Sequence, residues 1–236
     1  MFKSIAIIVF SFVLFFQLSG CTQKKDLEIE QFPNALTPGI FWEDTQTRAV
    51  IPADIVLRPV YPAGVELTKI SEGFRDHLYN DAAGFCTIGY GHLIYKQPCN
   101  NNNTEEQEFI NGISEFRGEE ILITDMNWAK YSVMNAVSVD LTPGQYAALV
   151  DFVFNVGSGN FKNSTLLKKI NSGQHDNVPV QLKRWIRAGG KVYQGLVTRR
   201  ENEIELYVEN TTIPRLLPRA GEELPDIDIR TGETDR

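Results

Sequence analysis

Glu72-Gly73-Phe74-Arg75, resumed after five residues by Asp81-Ala82-Ala83-Gly84-Phe85-Cys86-Thr87-Ile88-Gly89-Tyr90-Gly91-His92, is the stretch that decides how this 236-residue chain folds. Residues 71–75 read as the end of a short helix that starts near Gly64. Residues 79–84 are turn-rich, because Asn, Asp and Gly tolerate the backbone angles of a reversal. Residues 86–90 then bring the β-branched and aromatic side chains of a strand. Helix, turn and returning strand predict a small hairpin sheet.

That arrangement places one carboxyl group, Glu72, at a helix end, a second, Asp81, in the following turn, and a hydroxyl, Thr87, on the strand that folds back. Hydrolysis of a glycosidic bond needs a protonated acid on the leaving oxygen and an opposed carboxylate for the water or the developing positive charge. Two carboxyls in different environments supply both. Spacing alone carries little weight in a chain with 30 Asp and Glu residues, where a helix-capping Glu and a turn Asp on a solvated surface would look the same.

Downstream, the punctuation is helical. Thr104 followed by Gln107 fits a capping box ahead of a polar helix. Residues 113–137 offer helical stretches in which Gly118 and Asp125 argue for a break or cap. Thr142-Pro143-Gly144-Gln145 repeats the capping device with Pro at the first helical position. The helix it opens, 146–156, is apolar nearly all round apart from Asp151 and Asn155, and so belongs at the centre of its lobe. Helices over 163–170, 178–188 and 196–209 follow, separated by Gly173, Gly189-Gly190 and Gly195. The expected class is α+β, predominantly α, with a small β-hairpin lobe, a larger helical lobe and a cleft between them.

The quoted stretch resembles the bacteriophage-type lysozyme family, the muramidases of phage endolysins and their bacterial relatives. The likeness continues through Leu141-Thr142-Pro143-Gly144-Gln145-Tyr146-Ala147-Ala148-Leu149, Phe152-Val153-Phe154-Asn155-Val156-Gly157-Ser158-Gly159, Ser164-Thr165-Leu166-Leu167 and Trp185-Ile186-Arg187-Ala188-Gly189-Gly190. It covers roughly 64–208 in the correct order.

The resemblance implies a lysozyme-like two-lobed fold in which Glu72 is the general acid, Asp81 acts on the water or stabilises an oxocarbenium-like transition state, and Thr87 positions the water. The bond implied is the β-1,4 link between N-acetylmuramic acid and N-acetylglucosamine in peptidoglycan, cut with inversion when a water is held on the far face. Glu72 must then keep its proton near neutral pH, which burial favours and a nearby cation opposes. Arg199 and Arg200 match an arginine-bearing stretch of the family. Either they lie across the cleft from Glu72 and bind or orient there, or they are surface charges beside Glu201 and Glu203. Leu93 and Ile94 line the sugar cleft or the small-lobe core, and His92 reads as a structural residue. A lytic transglycosylase, for which an acid alone suffices, is disfavoured by the presence of Asp81 and Thr87; a non-catalytic peptidoglycan-binding lipoprotein is disfavoured because all three reactive positions are filled.

The ends have other duties. After Lys3, residues 5–16 are apolar except Ser11, too short to span a bilayer comfortably and typical of a signal-peptide core. Leu18-Ser19-Gly20-Cys21 resembles the bacterial lipoprotein box, which implies cleavage before Cys21 and acylation of that residue; an uncleaved signal anchor and a signal peptide with a chance Cys are the other readings. Thr22 rather than Asp after the lipidated Cys favours the outer membrane, facing the periplasm. Pro33, Pro38, Pro52, Pro59 and Pro62 interrupt every run ahead of the domain, although Phe41-Trp42 and Ile55-Val56-Leu57 are able to pack back on it. The layout is a signal peptide over 1–20, a tether over 21–62, a phage-type lysozyme domain over 63–210 and an acidic C-terminal tail over 211–236, expected to be mobile.

Composition narrows the partners. Lys and Arg total 23 against 30 Asp and Glu, a formal net charge of −7, so nucleic acid held by bulk electrostatics is excluded. Residues 66–151 carry five basic and 13 acidic side chains, whereas 162–200 carry nine basic and one acidic, so the helical lobe is able to face an anionic polymer such as peptidoglycan. An inhibitor or immunity protein would leave no mark in the sequence. Three His and three Cys without paired spacing give no structural metal, and no cofactor motif occurs. With Cys21 lipidated, Cys86 and Cys99 are an even pair in an exported chain, either bridged or two free thiols.

Overall fold

The computed structural model describes residues 50–215 and 224–233. The signal-peptide segment, Cys21 and most of the tether lie outside the described residues, and no helix among the described residues is long and apolar enough to cross a membrane.

Helix α1 (Pro62–Glu72) opens with Pro in its first turn and ends where Gly73 takes φ 73° and donates its N–H to the Lys69 carbonyl. The helix therefore stops at Glu72 instead of running to Arg75. Strands β1 (Arg75–Asn80), β2 (Cys86–Gly89) and β3 (His92–Tyr95) form an antiparallel sheet in the order β1-β2-β3. The expected hairpin is thus extended by one strand. Buried Ile88 packs with Phe109 and Ile121 to give this lobe its own small core, joined by Leu78, Ile94 and Ile113. Cys86 and Cys99 are bridged, and closing a loop of this size contributes about 3 kcal/mol. The helix expected after Thr104 is only a single 3-10 turn, Thr104–Glu106, capped by Asn103. Glu106 explains the truncation: its carboxylate is turned inward to accept the Asn100 N–H and the Tyr95 hydroxyl, holding the loop that follows the disulfide.

Helices α2 (Glu115–Asp125) and α3 (Asn127–Ala136) lead to the second lobe, with the break at buried Met126. Gly118 does not break α2. A Cβ there would lie 2.5 Å from the Phe74 ring, so the glycine lets the helix approach the sheet lobe closely. Helix α4 (Pro143–Val156) carries both bonds of the Thr142/Gln145 capping box and is buried along nearly its whole length. It is the axle of the helical lobe, where each fully buried Leu, Val or Phe contributes about 1.5–3 kcal/mol. Two glycines set how closely its neighbours cross it: a Cβ at Gly64 would meet Ala147 Cβ at 2.6 Å, and one at Gly144 would meet the Leu206 carbonyl oxygen at 2.5 Å.

The remaining elements are α5 (Ser158–Asn163), α6 (Thr165–Asn171), α7 (Val178–Lys183), the short strands β4 (Arg187–Ala188) and β5 (Lys191–Val192), and α8 (Gln194–Val208). The helix expected over 163–170 begins only at Thr165, because the Ser164 hydroxyl accepts the Leu167 N–H and caps it. The helix expected over 178–188 stops at Lys183. Beyond it Trp185 is buried edge-on against Phe152 at 5.3 Å, and Gly189-Gly190, both at positive φ, turn the β4-β5 hairpin.

The C-terminal tail corrects an expectation. Its residues 224–233 are packed on the helical lobe, with Ile227 and Ile229 in the main core. The Ile227 N–H donates to the Arg184 carbonyl, the Ile229 N–H to the Arg187 carbonyl, and the Arg187 N–H to the Ile227 carbonyl. Glu233 caps α6 by accepting the Thr165 N–H at 2.6 Å and hydroxyl at 2.9 Å, and pairs with Arg184 at 2.6 Å. Asp226 and Glu233, in a tail that reads as acidic and mobile, are counter-ions to Arg187 and Arg184 of the basic lobe. Ile229→Ala is expected to cost about 3 kcal/mol through the cavity it leaves, measured by urea denaturation; a loss under about 1 kcal/mol would mean that the strap adds nothing to the core.

On the N-terminal side, the last tether residues are also held. The two terminal nitrogens of Arg58 donate to the Leu141 carbonyl at 3.2 Å, its guanidinium lies 4.6 Å from the Tyr146 ring centroid, and the Tyr146 hydroxyl donates to the Arg58 carbonyl.

Candidate active site

Glu72 occupies the last turn of α1, where Gly73 halts the helix, and its side chain is 1% exposed. Its Oε1 accepts a hydrogen bond from Arg199 Nη1 at 2.8 Å, while Oε2 has no hydrogen-bond partner among the described residues. Burial pushes its pKa up to about 7, against the pull of the Arg199 charge and hydrogen bond and with some help from the negative charge of Asp151. A carboxyl poised near neutrality, with one uncommitted oxygen, is able to donate a proton.

Asp81 sits in the β1-β2 turn. Its Oδ1 accepts the Ala83 and Phe85 N–H groups, both at 2.8 Å, and its own N–H donates to the Phe85 carbonyl, so the turn fixes the carboxylate. Thr87 lies on β2, buried, with its hydroxyl donating to the Phe85 carbonyl at 3.0 Å. The sheet register aligns Tyr79, Thr87 and Leu93 across the three strands. Burial raises the Tyr79 pKa most, the Arg75 guanidinium opposes this, and the charges of Glu72 and Asp81 push it further up. Asp81 and Thr87 therefore meet at the turn end of β1, both bonded to the Phe85 carbonyl, and Glu72 stands at the other end of that strand, on α1.

The two arginines diverge. Arg199 is fully buried and reaches Glu72. Arg200, also buried, instead donates through Nη2 to Asn155 Oδ1 at 3.0 Å, pairs with Glu203, and lies 4.9 Å from the Phe152 ring centroid. The reading of either as a surface charge, or as a residue touching substrate, is corrected: Arg199 acts on Glu72 from behind, and Arg200 ties α8 to α4. Leu93 is half-buried opposite Thr87. His92 pairs through Nδ1 with Asp125 at 2.8 Å, joining β3 to α2 as a structural residue would. Among the described residues the group with metal-ligand proximity is Cys86, Cys99 and Glu106, and its two sulfurs are bonded to each other.

Three residues not expected at the site stand behind Glu72. Asp151 receives Arg199 Nε and Nη2 on its two oxygens at 2.9 Å, and Thr68 donates to its Oδ1 at 2.8 Å. Glu203 lies one turn beyond Arg199, and burial holds its pKa well above the usual carboxylate range, with the Arg200 charge opposing. The signal for Asp151 was in plain view: Asp151 and Asn155, four apart, are the polar pair on an otherwise apolar helix, and each faces one of the buried arginines.

A mainly helical lobe, a three-stranded antiparallel lobe and a buried acid beside their junction define the lysozyme-type architecture. The chain belongs to the phage lysozyme family, whose model matches residues 69–203 and whose members are lysozyme-type glycoside hydrolases. The endolysin of Bacillus phage B103 is 38% identical over 149 residues, 62% of this chain and 52% of that endolysin, so the chain spans about half the length of this relative. Among solved structures, the muramidase domain of SpmX from Asticaccaulis excentricus is similar with a TM-score of 0.55 and 29% identity, covering 64% of this chain and 99% of that one. A P22 lysozyme variant gives a TM-score of 0.56 and 27% identity, with coverage of 64% and 99%.

Proposed function

We propose that this protein is a muramidase that hydrolyses the β-1,4 bond between N-acetylmuramic acid and N-acetylglucosamine in peptidoglycan, and that it works at the cell envelope as a lipoprotein anchored through Cys21. Buried Glu72, with its pKa near neutrality and its free Oε2, is the observation that carries the reading. Glu72 protonates the leaving oxygen. The turn-held Asp81 carboxylate takes up the proton of the attacking water or balances the developing positive charge, and the Thr87 hydroxyl orients that water. Attack from the far face inverts the anomeric centre. No cofactor or metal is needed.

Charge supports a polyanionic substrate less than the sequence suggested. Arg184 and Arg187 are engaged by Glu233 and Asp226, and Lys183 by Glu201, which leaves Lys162, Lys168, Lys169 and Lys191 as the lobe's cations without an ion pair among the described residues. The anchor rests on the order of charge, apolar run and box in residues 3–21, and the outer-membrane location on Thr22. Digestion of purified sacculi is expected to release fragments with reducing N-acetylmuramic ends, read by mass spectrometry. Fragments ending in 1,6-anhydromuramic acid would replace hydrolysis by transglycosylation, and no release would leave a binding lipoprotein.

A further inference from the structure

An arginine 2.8 Å from a carboxylate ordinarily ionises it, yet a general acid must keep its proton. The geometry around Arg199 removes the conflict. Its guanidinium is gripped by Asp151 along the Nε–Nη2 edge, the two-point fork that matches a carboxylate best, and only Nη1 is turned towards Glu72. Asp151 is itself fixed by Thr68, which sits on α1 one turn before Glu72. Acid, arginine and second carboxylate are thus one rigid unit spanning α1, α4 and α8, with all three side chains at most 1% exposed.

We propose that Asp151 is a positioning residue for Glu72: it aims the Arg199 guanidinium and neutralises its charge, so that Glu72 meets an ion pair rather than a bare cation and enters the reaction protonated. This rests on the assignment of Glu72 as the acid. The charged groups acting directly on Glu72 are Arg199 from α8 and Asp151 from α4; Glu203 on α8 faces Arg199, and Tyr79 on β1 feels the charges of Glu72, Arg75 and Asp81. Asp151 holds Arg199 at two points. The directions of the shifts agree: Glu72 is raised, and Asp151, although burial works against it, is lowered by Arg199, Glu203 and Thr68.

Asp151→Asn keeps the shape and removes the charge. Arg199 then acts on Glu72 uncompensated, and the alkaline limb of the kcat/KM profile is expected to move down by about one pH unit or more, reducing activity at pH 7 about fivefold while activity near pH 5 stays within about threefold of the parent. Asp151→Glu, which restores the charge, is expected to recover part of that limb. A limb that does not move, or a loss uniform across pH, overturns the proposal. Should the Asn variant not fold, carboxyl-carbon NMR titration of the unaltered protein decides: Glu72 must hold its proton while Asp151 is ionised, and Glu72 titrating in the ordinary carboxylate range overturns it. The NMR reading needs no catalysis, so it stands apart from the muramidase assignment, which fails separately if Glu72→Gln remains active.

Discussion

Glu72→Gln is expected to reduce hydrolysis of cell-wall substrate by about 10³-fold, within the 10²–10⁴-fold that a positioned general acid supplies. Glutamine keeps the length of the side chain, and its carbonyl oxygen still accepts from Arg199 Nη1, so the loss comes from the missing proton and not from a rearranged pocket. The parent's activity should fall on the alkaline side with a midpoint at about pH 7, as Glu72 ionises. The same shift has a stability consequence of definite sign. A carboxyl whose pKa rises on folding, from 4.5 to about 7, binds its proton more tightly in the native state, so its contribution is fully present below about pH 4.5 and lost as pH rises through 7. Since each pKa unit is worth about 1.4 kcal/mol, the parent should lose on the order of 3 kcal/mol relative to the variant between pH 4 and 8. Urea denaturation across that range checks it; parallel profiles, or an active variant, would remove Glu72 from its role.

Arg199→Met is expected to be the most damaging single substitution for the fold. The methionine fills most of the volume but takes from Asp151 its two-point cationic partner and from Glu72 the hydrogen bond on Oε1. Removing one partner of a buried ion pair costs about 3–5 kcal/mol, because the other charge is left in a medium that cannot solvate it. For a domain of this size that lowers Tm by roughly 10 °C, read by calorimetry. Arg200→Met should cost less, since burial already holds the Glu203 pKa well above the usual carboxylate range and its carboxyl takes up a proton more readily than that of Asp151 when the cation is lost. Equal losses at the two positions would mean that the Asp151–Arg199–Glu72 unit has no special place in the core.

Much of this was legible in the sequence, and the reasons are local. The three candidate side chains were picked out by the family resemblance and not by their spacing. The helix end, read through Arg75, stops at Glu72 because Gly73 takes a positive φ, whereas the reversal around Asp81 and the strand bearing Thr87 each follow from residue type within a few positions. The Thr142/Gln145 capping box formed for the same reason. Where a local signal met a competing tertiary demand, the tertiary one won. Thr104 opened no helix because Glu106 was drawn inward to the disulfide loop, and Gly118 broke none because the Phe74 ring required a residue without a Cβ. The C-terminal strap has few apolar residues, which composition reads as disorder; pairing with residues 184 and 187 places Ile227 and Ile229 in the core and gives Asp226 and Glu233 their cations.

What residue order settled by itself is the family and the class of fold, because the stretch from Glu72 to His92 and the helical segments after it carry the resemblance, with the proposed acid, turn carboxylate and hydroxyl inside sixteen residues. Only the tertiary structure decided which of two adjacent arginines serves the acid. Successive residues on a helix point about 100° apart, so Arg199 and Arg200, inseparable in sequence, face different partners once α8 is laid against α4. Asp151 takes the first and Asn155 the second, and that choice leaves Glu72 beside a neutralised cation.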